Sequence, residues 1–186
     1  MKHPIKPLKQ QTEFGCLATC FTMIKNHLFS EKEFNQNIES ELTKQAFSST
    51  TNFNEHHYLK KLYDLNCKIK VLVETPYMLE GYNLLNTKLK CKIPIEHCLI
   101  GVDDYESLLK EGYILITLID LWNIDMIINI AHYVIVSGFD ETSLYIIDPK
   151  YGKEIRISKP RFQQMLGNLK RDIKYSPLVF AIKNVK

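Results

Sequence analysis

The sequence predicts an α+β fold in which N-terminal helices pack on a C-terminal antiparallel β-sheet. Two observations indicate this order: apolar residues recur at helical spacing from residue 16 to about residue 65, and β-rich runs follow one another from residue 113 onward. The length of 186 residues and the hydrophobic fraction of 45% favour a single domain that spans residues 1–186. We therefore expect one core, with a cleft between the helical half and the sheet half.

The helical half opens with a helix predicted from about Cys16 to Leu28. Its apolar positions form a broad buried stripe, made of Leu17, Ala18, Cys20, Phe21, Met23 and Ile24. Gly15, directly before this helix, is expected to let the backbone turn tightly. Ser30, followed by acidic residues, resembles an N-cap and predicts a second helix as far as about Leu42. A third helix is predicted from Phe53 to Leu65.

The sheet half is built around Tyr113–Ile119, an almost wholly apolar run that predicts a central strand buried on both faces. Before it, Asp103–Gly112 predicts a short helix that Gly112 ends, and residues 87–101 carry no readable pattern. The other predicted elements are strands at Cys67–Val73, Val134–Ser137, Leu144–Ile147, Glu154–Ile157 and Leu178–Lys183, and helices at Pro76–Asn86 and Pro160–Leu169.

Charge and hydropathy narrow the classes of partner. The 24 basic and 21 acidic residues leave a net charge of +3 without a clustered basic run, so no nucleic-acid partner is expected. The start of the chain lacks the apolar core of a signal peptide, and no run of about 18 apolar residues predicts stable membrane insertion. A cytoplasmic location is therefore expected, and export as an effector by a signal-independent route stays open.

The five cysteines are odd in number and irregular in spacing, which is typical of free thiols in a reducing compartment. They contain no CxxC pair and no repeated ligand spacing, so we expect no structural zinc and no other metal or cofactor. One of them, Cys16, falls at the start of the first predicted helix. There, unsatisfied backbone N–H groups and the helix dipole favour a thiolate. Taken alone, a buried structural cysteine is the commoner role for such a residue.

A candidate base and a candidate acid lie on one predicted hairpin. His132 stands at the start of its first strand, and Asp148 stands at the end of the second. Antiparallel pairing brings those two ends together although sixteen positions separate the residues. Taken singly, His132 would be a satisfied core histidine and Asp148, before Pro149, an ordinary turn residue.

Four residues in order carry a resemblance to a known family: Gln10 stands six positions before Cys16, His132 begins HYVIVSGFD, and Asp148 follows in YIIDP. Over about residues 8–29 and 113–158 this pattern resembles the papain-like cysteine peptidases of the bacteriocin-processing family, which cut leader peptides after a double glycine, and their stand-alone relatives. The resemblance implies a papain-like fold. The roles that it implies are nucleophile for Cys16, base for His132, orienting acid for Asp148 and oxyanion-hole donor for Gln10.

These residues predict acyl transfer through a thioester on a peptide or protein substrate. For the peptidase alternative, the resemblance implies leader peptides cut after small residues as one possible substrate. Water as acceptor makes a peptidase, whereas an amine makes an acyltransferase or transpeptidase. A degenerate domain that only binds peptides is the third hypothesis, against which the intact Cys16 and His132 argue. A separate exporter or pathway protein is a further expected partner, and the oligomeric state is not indicated. The segment Asp120–Ile130, with the single tryptophan, is predicted as either a substrate-binding loop or a short amphipathic helix.

Overall fold

The structure, a computed structural model, describes residues 1–30, 36–47, 55–120 and 130–185. Its helices are α1 (Cys16–Phe29), α2 (Gln36–Phe47), α3 (Glu55–Asp64), α4 (Pro76–Lys88), α5 (Val102–Lys110) and α6 (Lys159–Arg171). Its strands are β1 (Lys68–Val73), β2 (Ile95–His97), β3 (Ile114–Asp120), β4 (Ala131–Phe139), β5 (Ser143–Asp148), β6 (Lys153–Ser158) and β7 (Leu178–Lys183).

The seven strands form one sheet in the order β2-β1-β7-β3-β4-β5-β6. Neighbouring strands are antiparallel from β1 to β6, whereas β1 and β2 run parallel. The predicted α+β fold with a C-terminal antiparallel sheet is therefore confirmed. Two strands from the middle of the chain, β1 and β2, extend that sheet beyond β7.

The central strand β3 is buried along its whole length, as the apolar run predicts. Ile114, Ile116 and Leu118 pack on the face that α1, α3 and α4 cover. Leu115 and Ile119 pack on the opposite face, against α5 and α6. The sheet thus has helices on both faces, and the predicted N-terminal helical layer is one of two. Burying each such side chain contributes about 1.5–3 kcal/mol, so the two faces anchor the sheet from both sides.

Helix α1 brings its N-terminus to the strand β4 because its apolar stripe packs on the sheet. The residues from Leu17 to Ile24 are all buried, and the Phe21 ring stacks on Tyr58 of α3 with centroids 4.8 Å apart. This packing sets the height of α1 over the sheet. The first residue of α1 therefore lies next to the start of β4.

Most element boundaries agree with the sequence prediction to within two residues. An exception is Ser30, which ends α1 in the left-handed region at φ 57°, where the sequence predicts an N-cap. Helix α2 is described from Gln36, so the predicted start of that helix lies outside the described residues. The segment Asp120–Ile130 lies largely outside them too, since residues 121–129 are not described.

Two further features complete the description. Gly112 follows the C-terminus of α5 with φ 86°, and the sequence predicts that this glycine ends the helix. Among the helices that the structure describes, none has both the length and the apolar character needed to cross a bilayer.

Candidate active site

The first side chain of α1 is the thiol of Cys16. Gly15 occupies the N-cap position without a capping side chain, and the first turn of the helix carries no acidic residue. The backbone N–H groups of that turn therefore point towards the start of the helix, and no capping side chain accepts them. The half-buried thiol of Cys16 lies in this positive field.

His132 and Asp148 meet as the predicted hairpin requires. His132 is the second residue of β4 and Asp148 is the last residue of β5, and the two strands are antiparallel neighbours. Nε2 of His132 lies 2.8 Å from Oδ1 of Asp148, and both side chains are buried, with 5% and 0% of their surfaces exposed. The same Oδ1 accepts the backbone N–H of Lys150 at 2.8 Å. Burial and two donors therefore fix this carboxylate.

The side chains of Cys16 and His132 lie close enough for each to shift the pKa of the other. Since Nε2 of the imidazole is occupied by Asp148, Nδ1 is the nitrogen that remains for the thiol. The structure therefore brings together three of the four residues singled out in the sequence, in the order Cys16, His132, Asp148.

The electrostatics of this group favour a charged pair. Burial alone would lower the pKa of His132, but the hydrogen bonds and negative charges of Asp148 and Cys16 raise it to about 9. Burial raises the pKa of Cys16, and this is outweighed by the hydrogen bond and charge of His132 and by the N–H groups of Tyr133 and Leu17, so the pKa falls below its ordinary value. Both shifts favour the charged pair, in which the proton resides on the imidazole and the sulfur is a thiolate.

The backbone of Tyr133 faces α1, because the neighbouring strand β5 ends beside it. Its N–H lowers the pKa of Cys16, and its carbonyl accepts the thiol of Cys20 at 3.6 Å. In the register that pairs Ile135 with Ile147, the residue opposite Tyr133 is Pro149, which has no N–H. The Asp-Pro pair, interpreted from the sequence only as a turn, thus ends the ladder where α1 docks.

A half-buried acid supports Tyr133 from the helical face. The Tyr133 hydroxyl donates to Oε1 of Glu55, the first residue of α3, at 2.5 Å. Burial raises the pKa of Glu55 above its ordinary value despite this hydrogen bond. Glu55 could not be predicted from the sequence, since nothing in a polar helix start indicates a partner 78 positions away.

Gln10 lies on the loop before α1, and its amide has local partners. Nε2 donates to the carbonyls of Thr12 at 2.9 Å and Glu13 at 3.2 Å. Its Oε1 is buried and has no hydrogen-bond partner among the residues that the structure describes. The amide thus braces the turn before Cys16, and its role as an oxyanion donor stays a prediction.

Gly15 is needed for space and not for an unusual backbone conformation. Its φ of −81° is open to any residue, so the expected tight turn does not explain it. A Cβ atom at this position would lie 1.9 Å from Oε1 of the buried Glu39 and 2.8 Å from Oγ1 of Thr12. The sequence analysis did not single out Glu39, which it placed in the second helix without a role.

We expect Gly15→Ala to destabilise the protein by about 1–3 kcal/mol, because the added methyl group collides with a carboxylate held by hydrogen bonds. Urea unfolding followed by circular dichroism measures the change. Gly167→Ala is the matched control: its Cβ would meet nothing within 4 Å, and alanine favours a helix interior by about 1 kcal/mol. Equal stability changes in the two variants would contradict the steric explanation.

We expect iodoacetamide at pH 6 to alkylate Cys16 at least roughly tenfold faster than Cys98, because one lowered pKa unit already means a tenfold larger thiolate fraction. Both thiols are half-buried, but burial and nearby carboxylates raise the pKa of Cys98. Peptide mass spectrometry measures both rates. His132→Ala should abolish the selectivity and His97→Ala, on the edge strand β2, should keep it; the opposite pattern would refute the assignment.

Comparisons with known proteins give one family and one fold. Residues 81–166 match the sequence model of a family described as Peptidase_C39 like. This match covers just under half of the chain and includes His132 and Asp148, but neither Gln10 nor Cys16. No curated protein sequence gives a significant match.

The fold resembles the crystal structure of a Bacillus anthracis protein described as a candidate C39-like peptidase. The TM-score is 0.58 at 14% sequence identity, and the alignment covers 97% of this chain and 96% of the other. The resemblance to C39-like peptidases that the sequence predicts is therefore confirmed, and the chain has the papain-like α+β fold of these proteins.

Proposed function

We propose that this protein is a cysteine peptidase that cleaves a peptide bond through an acyl-enzyme on Cys16. The observation that carries the proposal is the placement of Cys16 beside His132, whose imidazole is hydrogen-bonded to the buried Asp148 at 2.8 Å. The C39-like fold supports the same reaction class.

In the proposed reaction the thiolate of Cys16 attacks the carbonyl carbon of the substrate, and the new C–S bond leaves a negative oxygen. The imidazolium of His132 gives its proton to the departing amine as the C–N bond breaks, which produces a thioester. His132 then takes a proton from water, whose oxygen attacks the thioester and releases the thiolate. Asp148 holds the ring and stabilises its charged form throughout.

Two donors are available for the negative oxygen. The backbone N–H of Cys16, as the first residue of α1, has no carbonyl acceptor in a preceding helical turn and sits at the positive end of the helix. The second is the Gln10 amide, which becomes free when the substrate oxygen replaces its longer bond, the 3.2 Å contact to Glu13. Each such donor contributes on the order of 3 kcal/mol to transition-state stabilisation.

We propose that the residue before the cleaved bond is small, as in leader peptides cut after small residues. His132 and Asp148 are almost fully buried and the thiol of Cys16 is half-buried, so only part of the sulfur is open to a substrate. A glycine at that position lets the substrate backbone approach where a larger side chain is excluded.

The test is cleavage of a mixed peptide library, read by mass spectrometry, with the wild type and with Cys16→Ala, His132→Ala and His97→Ala. We expect cleavage after small residues by the wild type and His97→Ala, none by Cys16→Ala, and a loss of about 10²–10⁴-fold in His132→Ala. Cleavage that survives Cys16→Ala would overturn the proposal. Products joined to an added amine in place of hydrolysis would assign the enzyme as an acyltransferase.

The pH dependence follows from the raised pKa of His132, about 9. We expect kcat/KM for peptide cleavage to fall as the pH rises through about 9, because a neutral imidazole cannot protonate the leaving amine. On the acid side, activity should persist below the ordinary pKa of a thiol, since the pKa of Cys16 is lowered. Iodoacetamide labelling of Cys16 needs no acid and should not fall above pH 9. A decline in cleavage already near the ordinary histidine value, about 6.5, would contradict the coupled pair.

A further inference from the structure

Glu39 is a fully buried carboxylate on α2 whose hydrogen bonds all go to the segment around Cys16. Its partners are the Gln11 N–H at 2.8 Å, the Thr12 N–H at 2.7 Å, the Thr12 hydroxyl at 2.5 Å and the Thr19 hydroxyl at 3.1 Å. In the described part of the chain no basic side chain pairs with it. A buried carboxylate is costly unless several donors satisfy it, and here four donors do so.

We propose that Glu39 is a positioning residue that holds the oxyanion-binding loop, residues 10–15, in its reactive geometry. This inference rests on the proposed function, because it concerns the donors of that reaction. Glu39 is hydrogen-bonded to the loop and to Thr19 and not to Cys16, so it acts through the backbone that it binds.

The hydrogen bonds of Glu39 tie the loop before α1 to the helix itself. Helix α1 has no capping side chain at Gly15, and Glu39 bridges the loop before the helix, at Thr12, to its first turn, at Thr19. The backbone of Thr12 is fixed between two side chains, since its N–H donates to Glu39 and its carbonyl accepts from Gln10. The orientation of both proposed oxyanion donors therefore depends on the position of this carboxylate.

The carboxylate of Glu39 is packed closely against Gly15. Glu39 occupies the volume that a side chain on residue 15 would fill, with Oε1 1.9 Å from the position of that Cβ. A misplacement of about 1 Å in such a loop is enough to cost on the order of 10²-fold in rate. The tight contact explains why both Gly15 and a buried acid are needed at this place.

Two chemistries on the same thiol separate positioning from activation. Acylation of Cys16 by p-nitrophenyl acetate passes through a tetrahedral oxyanion and needs the donors, with loss of p-nitrophenolate. Alkylation by iodoacetamide displaces iodide at a saturated carbon and forms no oxyanion. Removing the negative charge of Glu39 near the start of α1 favours the thiolate, so alkylation should not become slower.

The experiment compares the wild type, Glu39→Gln and Glu74→Gln with both reagents. Glu74 is a matched control, because its side chain is 7% exposed, accepts the Ile100 N–H at 2.8 Å and pairs with Lys170. We expect Glu39→Gln to slow the acylation burst by roughly 10²-fold while the iodoacetamide rate stays within about twofold of the wild type. Glu74→Gln should leave both rates unchanged. Thr19→Val, which keeps its shape and removes one donor, should slow acylation by roughly 2- to 10-fold.

The outcomes are distinct for the two proposals. A wild type that labels all cysteines equally and gives no burst overturns the proposed function, and the role of Glu39 with it. A normal wild-type burst that is unchanged in Glu39→Gln and in Thr19→Val overturns the positioning role alone. Equal losses of acylation and alkylation in Glu39→Gln and Thr19→Val also overturn it, because they show a general disturbance of Cys16.

Discussion

The site depends on one contact between the first residue of α1, Cys16, and the second residue of β4, His132. A thiolate and an imidazolium are each expensive to remove from water, and their mutual attraction only partly offsets that cost. Here Asp148 neutralises the ring from its far side, and two backbone N–H groups, of Tyr133 and Leu17, stabilise the sulfur. The charged pair is favoured because its surroundings are already arranged before a substrate arrives.

That arrangement is produced by the main core of the molecule. Helix α1 is held at a fixed height by buried contacts on the sheet, and β4 is a strand with neighbours on both sides, β3 and β5. Neither Cys16 nor His132 lies on a long loop, so the thiol–imidazole distance is set by helix-on-sheet packing. A site on regular elements is held more tightly than one on flexible connections, which suits a reaction that is sensitive to geometry.

The sequence was sufficient to predict that Cys16, His132 and Asp148 could meet, because each stands at the end of a strongly patterned element. The apolar stripe of α1 locates Cys16, and two β-rich runs with a turn between them locate His132 and Asp148. Glu39 and Glu55 could not be predicted, since each is one acid in a polar helix and its partners are distant in sequence. Such tertiary hydrogen bonds carry no periodicity. The three-residue strand β2 was missed for a related reason, because it is too short to show alternation.

Pro149 explains why the start of β4 loses its pairing with β5 on the side that faces the thiol of Cys16. Antiparallel strands continue to pair as long as each residue offers both a backbone N–H and a carbonyl, and each further pair would lengthen the contact between β4 and β5. Pro149 ends this pairing, because proline has no backbone N–H to donate to the opposite strand. The backbone N–H and carbonyl of Tyr133 then interact with the sulfur atoms of Cys16 and Cys20 on α1. In this protein the missing N–H of Pro149 ends the pairing of β4 with β5 and so leaves room for the first turn of α1 beside His132.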